Sequence, residues 1–424
     1  MRGTNRRETL RLLGAAALGA CAASVVAPLG RAGEARPRHA CRVRTITAGV
    51  PLPAGADARS LEQPLAMLAR ARARFESEGY EVQTLRITTP AIVAATPARD
   101  RRALADALVE MDAHAAQHGV RIGIGPLLTD DRLDEGLPDW AAELVSRARL
   151  MNCSIAVATP DGGAMPKAAE TAARTMQAIA RVGSGGLANF RFAAAANVPP
   201  GTPFFPVGYH AGAASLGIGL EGAGVIGAAA AGAADSAGAL AAVRAALGEV
   251  CRDVERIAAA IAAEERVRYG GIDPSPAPGM DRSIGAALEA LIGAPFGAGG
   301  TLEACAAITG VLKTLEVRTC GYAGLMLPVP EDPRLAQRES EGRFGLNDLL
   351  LYSSVCGTGL DCIPLAADTP LESLTRIIRD TAALAAKWRK ALSVRAMLVP
   401  GKHAGELVSF DDPLLTACRV LPVP

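Results

Sequence analysis

The sequence predicts an α/β fold of parallel strands joined by helical crossovers, with a TIM-like barrel as the default architecture. Three observations predict it. Short apolar runs alternate with helical periods in a steady β-then-α rhythm from Arg42 to Ala196. No Pro/Ser-rich linker interrupts that rhythm, which favours one large domain over several across residues 40–424. The hydrophobic fraction, 50%, is ample for a large core.

The elements follow in order. Arg42–Leu52 alternates like a first strand, and Leu61–Glu78 has helical spacing. Val82–Thr88 reads as a strand, Arg101–His118 as a helix, and Val120–Ile124 as a strand closed by Gly125-Pro126. Trp140–Leu150 is a helix, Ser154–Ala158 a buried strand, Pro166–Arg181 a helix and Phe190–Ala196 a strand. Pro199–Ala214 is a long Gly/Pro loop that holds His210, and Leu216–Glu221 is a short strand. Ser236–Arg268 is one alanine-rich helix, and Gly271–Asp281 is a stiff, proline-loaded loop. Helices follow at Ser283–Leu291, Leu302–Leu315 and Leu371–Leu392, with strands at Val394–Val399 and Cys418–Val423.

Residues 1–32 read as an address rather than as fold. T-N-R-R-E-T-L-R-L-L carries the pair Arg6-Arg7 ahead of a mildly apolar Ala/Gly stretch, which resembles a twin-arginine export signal. The translocase that reads such signals is then a partner, and the expected location is the periplasm or cell surface. Leu18-Gly19-Ala20-Cys21 also fits a lipobox, which would anchor Cys21 to lipid; the alternative is ordinary cleavage near Ala27 or Ala32. The remaining cysteines are scattered without a C-x-x-C, which argues against a zinc knuckle, and no metal site is expected. A net charge of +1 gives no bulk attraction for nucleic acid. Only five of the 44 basic residues are lysine, an excess of arginine read here as genome composition.

Chemistry gathers between Arg318 and Leu365. Cys320 and Cys356 each precede a glycine where an apolar run meets a turn. In S-S-V-C-G-T-G-L-D, backbone N–H groups freed at Gly357 would favour an anion beside a nucleophilic Cys356. The bland alternative is a buried cysteine with Gly357 as a helix C-cap. His210, with Glu221 at the end of the next strand, has the minimum parts of an oriented general base. The alternative is a loop histidine bonded to backbone. Asp273 and Ser275 in G-I-D-P-S-P-A-P would be held rigidly at a site, and Asp361 opens a strand.

These segments together resemble the family called domain of unknown function 711, also known as the UPF 0210 group. The resemblance runs through R-T-I-T-A-G-V-P-L (44–52), A-N-V (196–198), P-F-F-P-V-G-Y-H (203–210) and L-G-I-G-L-E (216–221). It continues through G-G-I-D-P-S-P-A-P (270–278), C-G-Y-A-G-L-M-L-P-V-P-E-D (320–332), Y-S-S-V-C-G-T-G-L-D (352–361) and L-V-P-G-K (398–402). It implies a large α/β barrel of about ten strands, similar to pyruvate formate-lyase and anaerobic ribonucleotide reductase. By fold analogy Cys356 or Cys320 would occupy a cysteine loop reaching into the barrel. The tail P-G-K-H-A-G-E-L-V-S-F lacks the glycyl loop of the radical enzymes, so a non-radical reaction is expected. The reading is an enzyme acting on a small polar or anionic metabolite in the barrel mouth. Cys356, Cys320, His210 and Glu221 would be catalytic, and Asp273, Ser275, Gly357, Asp361 and Asn197 would bind substrate. The other reading is an exported small-ligand-binding protein without turnover. No cofactor is indicated, and a homo-oligomer is expected.

Overall fold

The computed structural model describes residues 40–424 except Ala54 and Ser184; the export signal and the lipobox lie outside the described residues. Ten strands form the main sheet: β1 (Arg42–Gly49), β2 (Val82–Thr88), β3 (Val120–Pro126), β4 (Asn152–Thr159), β5 (Gly163–Ala164), β6 (Phe192–Ala196), β7 (Ser215–Glu221), β8 (Arg268–Asp273), β9 (Gly359–Ala366) and β10 (Leu392–Val399). Their order is β8-β7-β1-β2-β3-β4-β6-β10-β9, with two-residue β5 beside β4. β1, β2, β3, β4 and β6 run side by side in one direction. β7 and β8 run the other way along β1, and β10 and β9 the other way along β6.

The α/β rhythm is therefore real, and eleven α-helices lie among the described residues. Each parallel pair needs a crossover, and the helices supply it while covering the outer face. Leu65, Leu68 and Phe75 of Glu62–Ser77 and Leu108 and Met111 of Arg101–Gln117 are buried in one core with Ile46, Ile87 and Ile122 of the strands. At β6 the strand is F-A-A-A-A, fully buried on both sides.

Two elements differ from the sequence reading. The long helix ends at Glu264, and Arg268–Asp273 forms β8 where a loop was expected. R-Y-G-G-I-D has one β-branched residue, Ile272, and two adjacent glycines that weaken a strand signal; Gly271 adopts φ +123°, and a Cβ there would meet Arg318 O at 2.7 Å. Only Cys418–Arg419 of the expected last strand is extended in register, paired with Leu407–Val408 outside the main sheet.

The edges β8 and β9 are not hydrogen-bonded to each other; the segment 318–326 runs between them. Ile272 forms a parallel bridge with Thr319, and Thr358 Oγ1 donates to Leu325 O at 3.0 Å. Gly324 and Gly357 pack backbone to backbone, so a Cβ on Gly357 would stand 2.3 Å from Gly324 Cα. Gly357→Ala should therefore push the segment off its edge and destabilise the fold by about 1–3 kcal/mol. A urea midpoint within error of wild type would refute that close approach.

Candidate functional site

Arginines on four strands point into one interior cavity: Arg44 on β1, Arg86 on β2, Arg121 on β3 and Arg395 on β10. Each is flanked by residues on the opposite face, because side chains alternate along a strand. Two carboxylates join them, Glu331 from the stretch 327–332 that continues the segment inserted between β8 and β9, and Asp361 from β9. The cavity measures about 60 Å³, room for only a few waters.

Glu331 is the hub. Its Oε1 accepts from Arg395 at 2.6 Å and from the Cys362 thiol at 3.1 Å, and its Oε2 accepts from Arg44 at 3.1 Å. Arg395 also donates to Asp361 Oδ1 at 2.7 Å and stacks on Phe190. A bulge makes this geometry: Arg395 faces two residues, Asp361 and Cys362, between the pairs Val394–Leu360 and Ala396–Ile363. Arg44 reaches onward to Glu221 at 3.8 Å, and Glu221 accepts from Arg42 at 2.8 Å. Acid and base thus alternate from exposed Asp281 through Arg42, Glu221, Arg44, Glu331 and Arg395 to Asp361.

The two carboxyls are driven apart. Burial opposes the charge on Glu331, but Arg395 and Arg44 win and hold it below the usual carboxylate range. Burial pushes Asp361 up, and Arg395 only partly offsets this while Glu331 adds to it. Such a split is the arrangement in which one carboxyl stays ionised while the other can exchange a proton.

Among the described residues, no carboxylate forms an ion pair with Arg86 or Arg121. Arg86 is buried over the Phe205 ring and donates to Pro203 O at 3.2 Å, while its Nε has no partner. Burial and the neighbouring Arg44, Arg121 and Arg395 press its pKa down, a measure of how unfavourably the charge is held. Arg121 is pressed down by burial as well, and the carboxylates whose fields reach it are Asp412 and Glu331. Among the lining residues four guanidiniums face two carboxylates, with Glu221 behind Arg44 and Asp412 near Arg121, so Arg86 is the cation held with least compensation.

The inserted segment is fixed by two buried aspartates. Asp273 accepts from Tyr322 N at 2.8 Å, Ala323 N at 3.1 Å and Ser275 Oγ at 2.6 Å; Ser275 Oγ accepts from Gly324 N at 3.0 Å. This clamp holds the Tyr322 ring in the cavity wall, where its hydroxyl donates to Ser393 Oγ at 2.8 Å. Asp332 satisfies two helix N-termini together, accepting from Ile284 N at 2.6 Å and from Leu335 N at 3.0 Å. Its neighbour Glu331 is thereby placed in the cavity.

The family described as Uncharacterised ACR (DUF711) matches residues 37–411. The chain belongs to this family. It is 30% identical to a UPF0210 protein of Pyrobaculum arsenaticum over 346 residues, covering 77% of this chain and 76% of the relative. A UPF0210 protein of Pyrobaculum islandicum is 30% identical over 370 residues, covering 82% of this chain and 80% of the relative.

The residues singled out in the DUF711 motifs fall into separate groups. Asp361 lines the cavity, and Glu221 joins it through Arg44. Asp273, Ser275 and Gly357 seat the inserted segment rather than line the cavity. His210 and Glu221, expected together, lie at opposite ends of β7: Ser215, beside His210, pairs with Gly49, whereas Glu221 pairs with Arg42. Six residues of strand separate them by about 20 Å. His210 is buried, donates its backbone N–H to Thr89 O and contacts Gly212 O at 2.9 Å; burial lowers its pKa. Cys356 ends the helix Leu346–Val355 in apolar core, where burial raises its pKa and its carbonyl accepts from Lys390. Cys320 bonds to Ile272 through its backbone, and burial raises its thiol pKa too. Neither sulfur lines the cavity. Asn197 closes β6 with φ +54° and donates to Ala385 O at 2.8 Å, away from the cavity.

The cavity also departs from the barrel-mouth expectation. It is lined from the early part of β1, β3, β4, β9 and β10 and the middle of β2, and the loop 201–210 packs against the strands beyond it. There Phe205 and Gly208 meet Gly123, Phe204 meets Gly219, and Thr47 Oγ1 donates to Pro203 O. Among the described residues, no group of three or more His, Cys, Asp or Glu is placed to hold a metal.

Proposed function

We propose that this DUF711 chain is a non-radical enzyme that binds a small anionic metabolite between Arg86 and Arg121 and exchanges a proton with it through Asp361. The observation that carries the reading is the pair of guanidiniums facing the cavity without carboxylate partners. A buried cation without a counter-ion is costly, and an anionic ligand removes that cost. Neither candidate cysteine lines the cavity, which supports acid–base chemistry over a thiyl mechanism. The strand directions along the nine-strand path, five one way and four the other, with Thr319 beside β8, support a barrel similar to that of pyruvate formate-lyase. The Arg6-Arg7 signal supports export.

The test is a screen of small anionic metabolites for consumption, followed by proton NMR, with wild type and two variants. Asp361→Asn should lose about 100-fold or more in kcat while retaining affinity. Arg121→Ala should raise KM. A ligand that binds but is recovered unaltered after long incubation would favour an exported binding protein instead, and indifference of all anions would defeat the cavity as the site.

A further inference from the structure

Resting on that reading, we infer that the cavity takes a short-chain monocarboxylate, its carboxylate at Arg86 and Arg121 and its alkyl end on an apolar wall. The wall is a separate cluster of the interior: Phe204, Ala277, Tyr322 and Met326 pack with Ala193 and Ala195, apart from the main core, and all four line the cavity. The opposite chemistry is concentrated at Arg86, whose Nε is buried without a partner, and at Arg121. The site is thus two-faced, with N–H donors in one part and carbon in another.

Size sets the first limit. A space of about 60 Å³ has room for only a few waters and so takes a molecule of a few non-hydrogen atoms. Acetate, propanoate and butanoate fall in that range, as does inorganic phosphate. Lining chemistry sets the second limit. A phosphate presents oxygens in all four directions, and those facing Phe204, Ala277 and Met326 would lose water without gaining donors. A carboxylate has both oxygens on one side and matches a planar guanidinium. Its hydrocarbon end then gains from the apolar wall. Charge sets the third limit. Glu331 is already shared by Arg44 and Arg395, and Asp361 receives Arg395, so no free carboxylate waits for an ammonium group. Amino acids of the same size are therefore disfavoured against simple or hydroxylated acids.

Isothermal titration of the full chain at constant ionic strength tests this with propanoate, octanoate, inorganic phosphate and alanine as probes. Propanoate should bind saturably, at least tenfold more tightly than the other three, and Arg121→Ala should weaken it tenfold or more. Phosphate, alanine or octanoate binding as well as propanoate would overturn the short monocarboxylate while leaving the anion site standing. If none of the anions binds, the anion site falls with it. Propanoate binding unchanged in Arg121→Ala would place the carboxylate elsewhere and overturn the assignment, and thermal unfolding of the variant checks that it is folded.

Discussion

Replacing Glu331 by glutamine is expected to remove about 3–5 kcal/mol of stability, the cost of leaving a buried ion pair with one partner. Arg395 and Arg44 both donate to this carboxylate, as does the Cys362 thiol. Glutamine keeps one oxygen but turns an N–H₂ group toward donors, and it leaves Arg395 with Asp361 alone and Arg44 with Glu221 at 3.8 Å. The effect should appear in urea unfolding at pH 7 as a lower midpoint with unchanged slope. The pH dependence has a definite sign. Glu331 is held below its unfolded value, so its contribution is complete above about pH 4.3 and is lost as pH falls through the lower folded pKa. The variant should therefore show a blunted acid limb relative to wild type. A loss below about 1 kcal/mol, or an unchanged acid limb, would mean that Arg44 and Arg395 find other partners.

Much of the fold is legible in the sequence because it depends on local periodicity. The strands Val82–Thr88 and Val120–Pro126 and the helix Arg101–Gln117 follow from apolar spacing alone. β8 is not legible, since R-Y-G-G-I-D becomes a strand through backbone pairing with β7 and the approach of Arg318, both distant in sequence. The site is partly legible. Asp361, Asp273, Ser275 and Gly357 stand out through turns and prolines, and all bear on the cavity or on the segment that walls it. The arginines were hidden by composition. Yet V-R-T, L-R-I, V-R-I and V-R-A place one arginine between apolar neighbours or a buried threonine in each of four strands. A charge within a buried strand is expensive, and its recurrence in four strands, with Arg86 and Arg121 register partners, is a signal that an arginine-rich surface would not produce. His210 and Glu221 misled for the reverse reason: proximity along the chain is not proximity across a strand, since each residue of β7 adds about 3.3 Å.

Replacing Arg86 by methionine is expected to act in opposite directions on stability and binding. In the free protein the guanidinium has one hydrogen bond, to Pro203 O, and a buried Nε with none. Three other guanidiniums disfavour its charge. Methionine fills a similar length and sets sulfur over the Phe205 ring now covered by the guanidinium. Exchanging a buried charge for a packed hydrophobe commonly stabilises by about 1–4 kcal/mol, and the lost bond to Pro203 subtracts about 1 kcal/mol. The variant should then be more stable by roughly 0–3 kcal/mol, and its affinity for small anions should fall roughly 10- to 100-fold, the loss of a charge-assisted contact. The pairing of the two effects is the informative part. A residue kept only to seat the 201–210 loop would destabilise when replaced and leave binding alone. A residue that holds ligand charge at the expense of the free protein does the reverse. Denaturation and calorimetry on the same preparation separate the two, and lower stability with intact anion binding would assign Arg86 to the loop rather than to the site.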